Sequence, residues 1–160
     1  MYLKKTAAFI FVMIIVQATG VCAPVADQAD PRASDTFDTV TGRNWFLVEV
    51  RKDPLPIILD RSKLAADGFG EAFTLRFDEE RISGAGAPNR YIAPYTLSGS
   101  QAITFGMIAA TLMAAIFEPD EFKEHEYFTL LQNVSRWNIT GENLELFSGE
   151  TVLVFTVPDH

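Results

Sequence analysis

From Trp45 to the C terminus, the sequence is divided into short apolar runs that glycine, proline or charged residues interrupt. Runs of roughly four to eight residues between turn residues are typical of strands rather than helices. Residues 73–77 show this best, because Phe73, Leu75 and Phe77 alternate with a threonine and an arginine, as in a half-buried strand. The pattern predicts strands at residues 45–50, 57–59, 73–77, 81–84, 91–97, 102–105, 137–139, 144–147 and 151–157.

One late segment predicts a helix. Pro119 followed by two acids is a typical helix start, because proline is tolerated in the first turn and acids there meet the positive end of the helix dipole. The helix is expected to cover residues 119–133, and residues 107–115 fit either a helix or a strand. Its buried stripe is expected to contain Phe122, Tyr127 or Phe128, and Leu131. The sequence therefore predicts an α+β fold, a curved antiparallel sheet or partial barrel of short strands closed by one late helix.

The N terminus has the pattern of a secretion signal. A basic start with Lys4 and Lys5 precedes an uninterrupted, mostly apolar run at residues 6–16. That run is too short to span a bilayer, which takes about 20 residues, but it fits the apolar region of a signal peptide. We therefore predict a signal peptide at residues 1–21 and export to the cell envelope.

Cys22 is the only cysteine and leaves two routes of processing open. In one, ordinary cleavage follows Gly20. In the other, Cys22 becomes the lipidated first residue of a lipoprotein, although Val21 departs from the small residue that a bacterial lipobox has there. A lone cysteine has no intramolecular partner in an oxidising compartment, and acyl chains on it would anchor the protein to a membrane. The prediction is a membrane-anchored lipoprotein, with a soluble periplasmic protein as the alternative.

The residues after Cys22 predict a tether and then a domain. Residues 23–41 lack an apolar period and are rich in Ala, Asp, Pro, Thr and Ser, as flexible linkers are. We therefore place a flexible tether at residues 22–42 and the domain at residues 43–158.

The charge of the chain excludes one class of partner. Because Lys4 and Lys5 lie in the leader and no acid precedes Asp27, removing the leader leaves 11 of the 13 basic residues against all 21 acidic ones. Such a surface repels phosphate backbones, so nucleic acid is not expected as a partner.

An ordered set of motifs resembles the META domain family, the HslJ-like proteins of the bacterial envelope. The set comprises Trp45-x-Leu47, Leu75 to Glu80, Asn89-Arg90-Tyr91 with Tyr95, Ile103 to Ala114, and then Phe128, Leu131, Trp137, Leu144, Leu146, Leu153 and Phe155. It spans nearly all of residues 43–157. The resemblance implies a compact α+β or cracked-barrel fold, and envelope roles in heat shock, stress resistance or virulence without a defined reaction.

The same resemblance singles out the family-motif residues, which are Asn89, Tyr91, Tyr95, Thr111 and Met113. An asparagine beside the tight loop at residues 84–88 can satisfy exposed backbone groups, and the alternative is a loop that contacts a ligand. Many META domains carry a cysteine just before this asparagine and another after the Met-Ala pair. This chain has Pro88 and Ala115 there, so the disulfide that the family implies is absent.

The sequence favours a non-enzymatic protein that binds another envelope component. His125 is the only internal histidine, and no second His or Cys lies at a metal-binding spacing, so we predict no metal, cofactor or catalytic residue. The alternative function is a carrier of a small hydrophobic ligand or lipid in a partly open barrel. Its cavity would be lined by Phe105, Met107, Met113 and Phe128. An unfilled apolar cavity would favour the carrier, and a solid core with an exposed apolar patch would favour the binding module.

Overall fold

The computed structural model describes residues 37–114 and 117–158. The predicted signal peptide, Cys22 and Ala115 lie outside these residues. Ten strands are described: β1 (Asn44–Arg51), β2 (Ile57–Ile58), β3 (Thr74–Phe77), β4 (Arg81–Ala85), β5 (Arg90–Ser98), β6 (Ala102–Phe105), β7 (Ala109–Ala110), β8 (Val134–Thr140), β9 (Asn143–Ser148) and β10 (Thr151–Thr156). Two helices are described, α1 (Arg61–Ala66) and α2 (Glu124–Gln132).

Eight of the strands form a closed antiparallel barrel in the order β1-β10-β9-β8-β6-β5-β4-β3, with β3 pairing back to β1. The closing pair joins the two ends of the domain, with partners running from Phe46↔Thr156 to Arg51↔Val152. The shortest pairing is β6–β8, which is registered at Ala102↔Arg136. A closed barrel has no free edge to pair with another chain. The sheet barrel is thus as predicted, but a cracked barrel is not confirmed, because β10 pairs directly with β1.

Aromatic and branched side chains fill the interior of the barrel. The largest fully buried side chains include Trp45, Phe73, Phe77, Tyr127 and Phe155. These come from the neighbouring strands β3, β1 and β10, from the residue before β3 and from α2, so their burial depends on the pairing that closes the sheet and on packing of the helix. The interior is therefore a packed core, as in other small barrels whose side chains fill the available space.

Two residues of the predicted tether belong to the folded core. Phe37 and Val40 are buried in the core, although both belong to the predicted tether. The Phe37 ring packs 4.8 Å from that of Trp137, and the Trp45 indole N–H donates to the Val40 carbonyl at 2.9 Å. Each apolar residue stands alone among polar neighbours, so no periodic pattern marks it.

The late helix is shorter than predicted and begins at Glu124 rather than Pro119. Phe122 is buried in the core, and Glu121 pairs with Lys63 at 2.9 Å, so tertiary contacts hold the preceding residues in an irregular turn. Tyr127 and Leu131 are the buried residues of α2, as its pattern predicts. No helix among the described residues is both long and apolar enough to cross a bilayer.

Candidate functional site

Two of the other four family-motif residues, Thr111 and Met113, contact the buried side chain of Asn89. Its Oδ1 accepts hydrogen bonds from the Thr111 hydroxyl at 2.8 Å and from the Met113 N–H at 2.7 Å. Its Nδ2 donates to the Met113 carbonyl at 3.3 Å. Asn89 therefore joins the loop before β5 to the segment after β7, where its side chain satisfies the backbone N–H and carbonyl of Met113 rather than groups of the loop at residues 84–88.

Glu124, the first residue of α2, completes this cluster and was missed by the sequence analysis. Its Oε1 accepts from the N–H groups of Ala87 at 2.7 Å and Asn89 at 2.6 Å, and its Oε2 accepts from Asn89 Nδ2 at 2.7 Å. Hydrogen bonds to an ionised carboxylate are the stronger kind. The only available signal was an acid near a helix start, and nothing in the sequence connects it with a loop 35 residues away. We call Asn89, Thr111, Met113 and Glu124 the polar hub.

The small residues of the loop are explained by the close approach of Glu124. A Cβ on Gly86 would lie 2.5 Å from Glu124 Oε1 and 2.9 Å from the Phe128 ring. A Cβ on Gly84 would overlap the Thr74 carbonyl. The glycines thus allow a side chain of α2 and a neighbouring strand to reach the loop backbone.

Tyr91 lies beside the polar hub but belongs to a different, fully buried cluster. The hydroxyls of Tyr91 and Tyr127 approach the Thr74 carbonyl at 2.9 and 3.0 Å, and each other at 3.1 Å. Burial, and then the nearby Tyr127 hydroxyl, raises the pKa of Tyr91 well above its ordinary value, and burial also raises the pKa of Tyr127. Both phenols therefore stay neutral and fasten α2 to β3 and β5.

Tyr95 is not part of the polar hub. It packs edge-on against Phe77, with ring centroids 5.4 Å apart, and donates its hydroxyl to the Asp78 carbonyl at 2.9 Å. Burial, followed by the Asp78 carboxylate, raises the pKa of Tyr95. It fastens the β3–β4 turn, and the predicted ligand-contacting trio of Asn89, Tyr91 and Tyr95 is not brought together.

The segment after β6 runs along the outside of α2 and is held at both ends of that helix. At the C-terminal end, Gln132 Nε2 donates to the Phe105 and Gly106 carbonyls at 3.2 and 3.0 Å. At the N-terminal end, the polar hub holds Met113. Between them, β7 pairs with β5. A segment without a long run of regular structure is thus fixed in place.

This fixed segment and the residues that follow it carry exposed apolar side chains. The exposed fractions are 86% for Met107, 101% for Leu112, 61% for Met113 and 79% for Phe117. We call these four residues the apolar ridge. The predicted cavity set is therefore not brought together: Phe105 is buried, Phe128 packs against Tyr91, and the two methionines face outward.

An open groove of about 650 Å³ lies between the end of α1 and the residues before α2. It is lined by Lys63, Asp67, Phe69, Phe117, Glu118, Pro119 and Asp120, and we call it the acidic groove. His125 lies exposed on α2. Among residues 37–114 and 117–158, no cluster of three or more His, Cys, Asp or Glu side chains could hold a metal ion.

Comparison with known proteins gives a family and a fold. The family model described as the META domain matches residues 38–159. A crystal structure of a DUF4847 family protein from Bacteroides vulgatus ATCC 8482 is similar to this chain, with a TM-score of 0.54 and 10% identity over 78% of this chain and 99% of that chain. A likeness at this identity shows the fold alone. No curated protein matches the chain.

Proposed function

This chain belongs to the META domain family, and on that premise we propose that it is a non-enzymatic binding protein of the cell envelope. It acts in stress resistance or virulence by binding another envelope component. The observation that carries the proposal is the apolar ridge, which lies outside a barrel whose own interior is filled.

The ridge has the properties of a binding surface because it is apolar and because the segment that carries Met107, Leu112 and Met113 is fixed. Leu112 and Met113 are neighbours in the chain and both are exposed, and exposed apolar patches mark interaction sites on soluble proteins. Covering each such side chain would contribute about 1.5 kcal/mol or more to association. The polar hub and Gln132 hold the segment before binding, which lowers the entropy lost when a partner docks.

We propose that the protein is exported by its signal peptide and anchored through an acylated Cys22. Support comes from the basic start, the short apolar run and the lone cysteine. The intact mass of the mature protein tests this. A mass that includes acyl chains on Cys22 is expected, and an unmodified chain beginning at Val21 would rule the anchor out.

The filled interior favours partner binding over the alternative of a lipid carrier. Trp45, Phe73 and Phe155 occupy space in the barrel that a carrier would keep for its ligand. Native mass spectrometry of gently purified protein distinguishes the two functions. We expect no co-purifying lipid, and a stoichiometric apolar ligand would favour the carrier instead.

Photocrosslinking in living cells tests the proposed function. A photoreactive phenylalanine analogue at Leu112 is expected to give one discrete crosslinked product, and the same analogue at Leu55, which is 73% exposed elsewhere, none. A strain that lacks the gene then receives either the double variant Leu112→Ser, Met113→Ser or the control Leu55→Ser. The control should restore survival of the strain under envelope stress, and the double variant should not. If it restores survival fully, the ridge does not carry the function.

A further inference from the structure

The acidic groove has one aromatic side chain on each wall. Phe69 follows α1 and is partly buried against the core, whereas Phe117 is 79% exposed on the opposite side. Both rings line the same depression of about 650 Å³. A concave site with aromatic walls is suited to an inserted apolar side chain.

The two walls of the groove are held together by Lys63. Its ammonium group pairs with Asp67 at 2.8 Å and with Glu121 at 2.9 Å. Hydrogen bonds to these two carboxylates raise the pKa of Lys63. Arg61, the first residue of α1, fixes this helix to the chain that follows it by donating to the Gly70 and Ala72 carbonyls at 2.7 and 2.9 Å. The groove is therefore a preformed feature.

Two carboxylates at the rim have no ion-pair partner among the residues that the structure describes. Lys63 is already shared between Asp67 and Glu121, and within the described part of the chain neither Glu118 nor Asp120 forms an ion pair. Asp120 is exposed and Glu118 is half-buried. An exposed aromatic ring beside two unpaired acids is complementary to a ligand that is both apolar and positively charged.

We infer that the acidic groove binds a basic, amphipathic segment of a protein partner, with an apolar side chain between Phe69 and Phe117 and lysine or arginine at Glu118 and Asp120. This inference rests on the proposed function, whose partner it specifies. Phe117 belongs to both the ridge and the groove, so one segment could cover both surfaces. The net charge of −8 opposes nucleic acid and anionic lipid as occupants.

A model peptide tests this chemistry directly. The probe is a fluorescent 14-residue peptide of leucine and lysine in a helical pattern, titrated into full-length mature protein at about 150 mM salt, where exposed charges more than about 8 Å apart are largely screened. The variants are Phe117→Ser and the double variant Glu118→Gln, Asp120→Asn, which change exposed or half-buried side chains. The matched control is Glu79→Gln, Glu80→Gln, which removes the same charge from the β3–β4 turn.

The inference predicts that Phe117→Ser raises Kd about tenfold or more, that the groove double variant raises it severalfold, and that the control changes it less than twofold. A peptide with glutamate in place of lysine should not bind. Failure of wild-type protein to bind the probe, or equal weakening by the control, would overturn the inference.

These outcomes separate the inference from the function on which it rests. If the peptide result fails while Leu112 still crosslinks and the ridge variant still loses survival, the proposed function stands and the groove is not its contact. If the ridge variant is fully active while peptide binding still depends on the groove, the proposed function is wrong but the groove remains a binding site for basic amphipathic peptides.

Discussion

Replacing Glu124 with alanine should destabilise the protein by disconnecting the loop at residues 86–89 from α2. The carboxylate accepts from two backbone N–H groups and from Asn89 Nδ2, all at 2.6–2.7 Å. A hydrogen bond to a charged group contributes about 1.5–3 kcal/mol, and a buried donor left without a partner costs about 1–3 kcal/mol. Because Glu124 is only half-buried, water can reach part of the site, and we expect a loss of about 2–4 kcal/mol.

The assay is thermal unfolding followed by circular dichroism, together with amide hydrogen exchange. For a domain of this size, the expected loss lowers Tm by roughly 10 °C. The amides of Ala87 and Asn89 should exchange faster, while those of β10 remain protected. The matched control is Glu126→Ala, which removes a carboxylate from the same turn of α2 and no described hydrogen bond.

The reasoning would be refuted if Glu124→Ala and Glu126→Ala had the same Tm within about 2 °C, a difference that corresponds to well under 1 kcal/mol. A second variant, Glu124→Gln, separates charge from shape. Its amide can accept from the loop N–H groups but presents NH₂ to Asn89 Nδ2. The Asn89 amide could accept a hydrogen bond from that NH₂ only by exchanging its Oδ1 and Nδ2 positions. It would then lose the hydrogen bond that the Met113 N–H donates to Oδ1. An intermediate Tm is therefore expected.

Three further predictions concern the loop, the domain boundary and pH. Gly86→Ala should cost about 1–3 kcal/mol, because its Cβ would lie 2.5 Å from the hub carboxylate, whereas Gly70→Ala meets nothing nearer than 3.5 Å and should leave Tm nearly unchanged. Phe37→Ala should lower the free energy of unfolding by about 3 kcal/mol in denaturant titrations, because this residue belongs to the core. An unchanged free energy of unfolding would show that Phe37 does not contribute to the core. Because burial raises the pKa of Tyr91 and Tyr127 above their unfolded value near 10, the folded state retains protons that the unfolded state releases, and stability should fall as pH rises above about 10. Tyr91→Phe should reduce this fall between pH 9 and 11, and an unchanged slope in denaturant titrations would contradict it.

The polar hub connects the two segments that, by family resemblance, carry cysteines in many META domains. In this chain Pro88 stands before Asn89, and the connection is made by hydrogen bonds from Asn89 to Thr111 and Met113. These bonds have a clear role, since they fix the segment that carries the ridge. The glutamate that supports them enters from a third element, α2.

Several features could be read from the sequence because each depends on near neighbours along the chain. The alternation of Phe73, Leu75 and Phe77 predicts a strand, and β3 covers residues 74–77. The strands predicted at residues 137–139 and 144–147 lie within β8 and β9, which form a hairpin with Thr140↔Asn143 as its last pair. The family motif identified Asn89, Thr111 and Met113, which do meet, but also Tyr95, which does not join them.

The sequence by itself determined the strands other than β7, the acidic charge and the family. These follow from local periodicity, from backbone restrictions and from charge, which need no knowledge of distant contacts. Only the tertiary structure decided that β10 closes the barrel against β1, that Phe37 joins the core, that α2 starts at Glu124 and that Met107 and Leu112 face solvent. Each of these depends on residues far apart in the chain packing together, and the free energy of such packing overrides local helix-start and apolar signals.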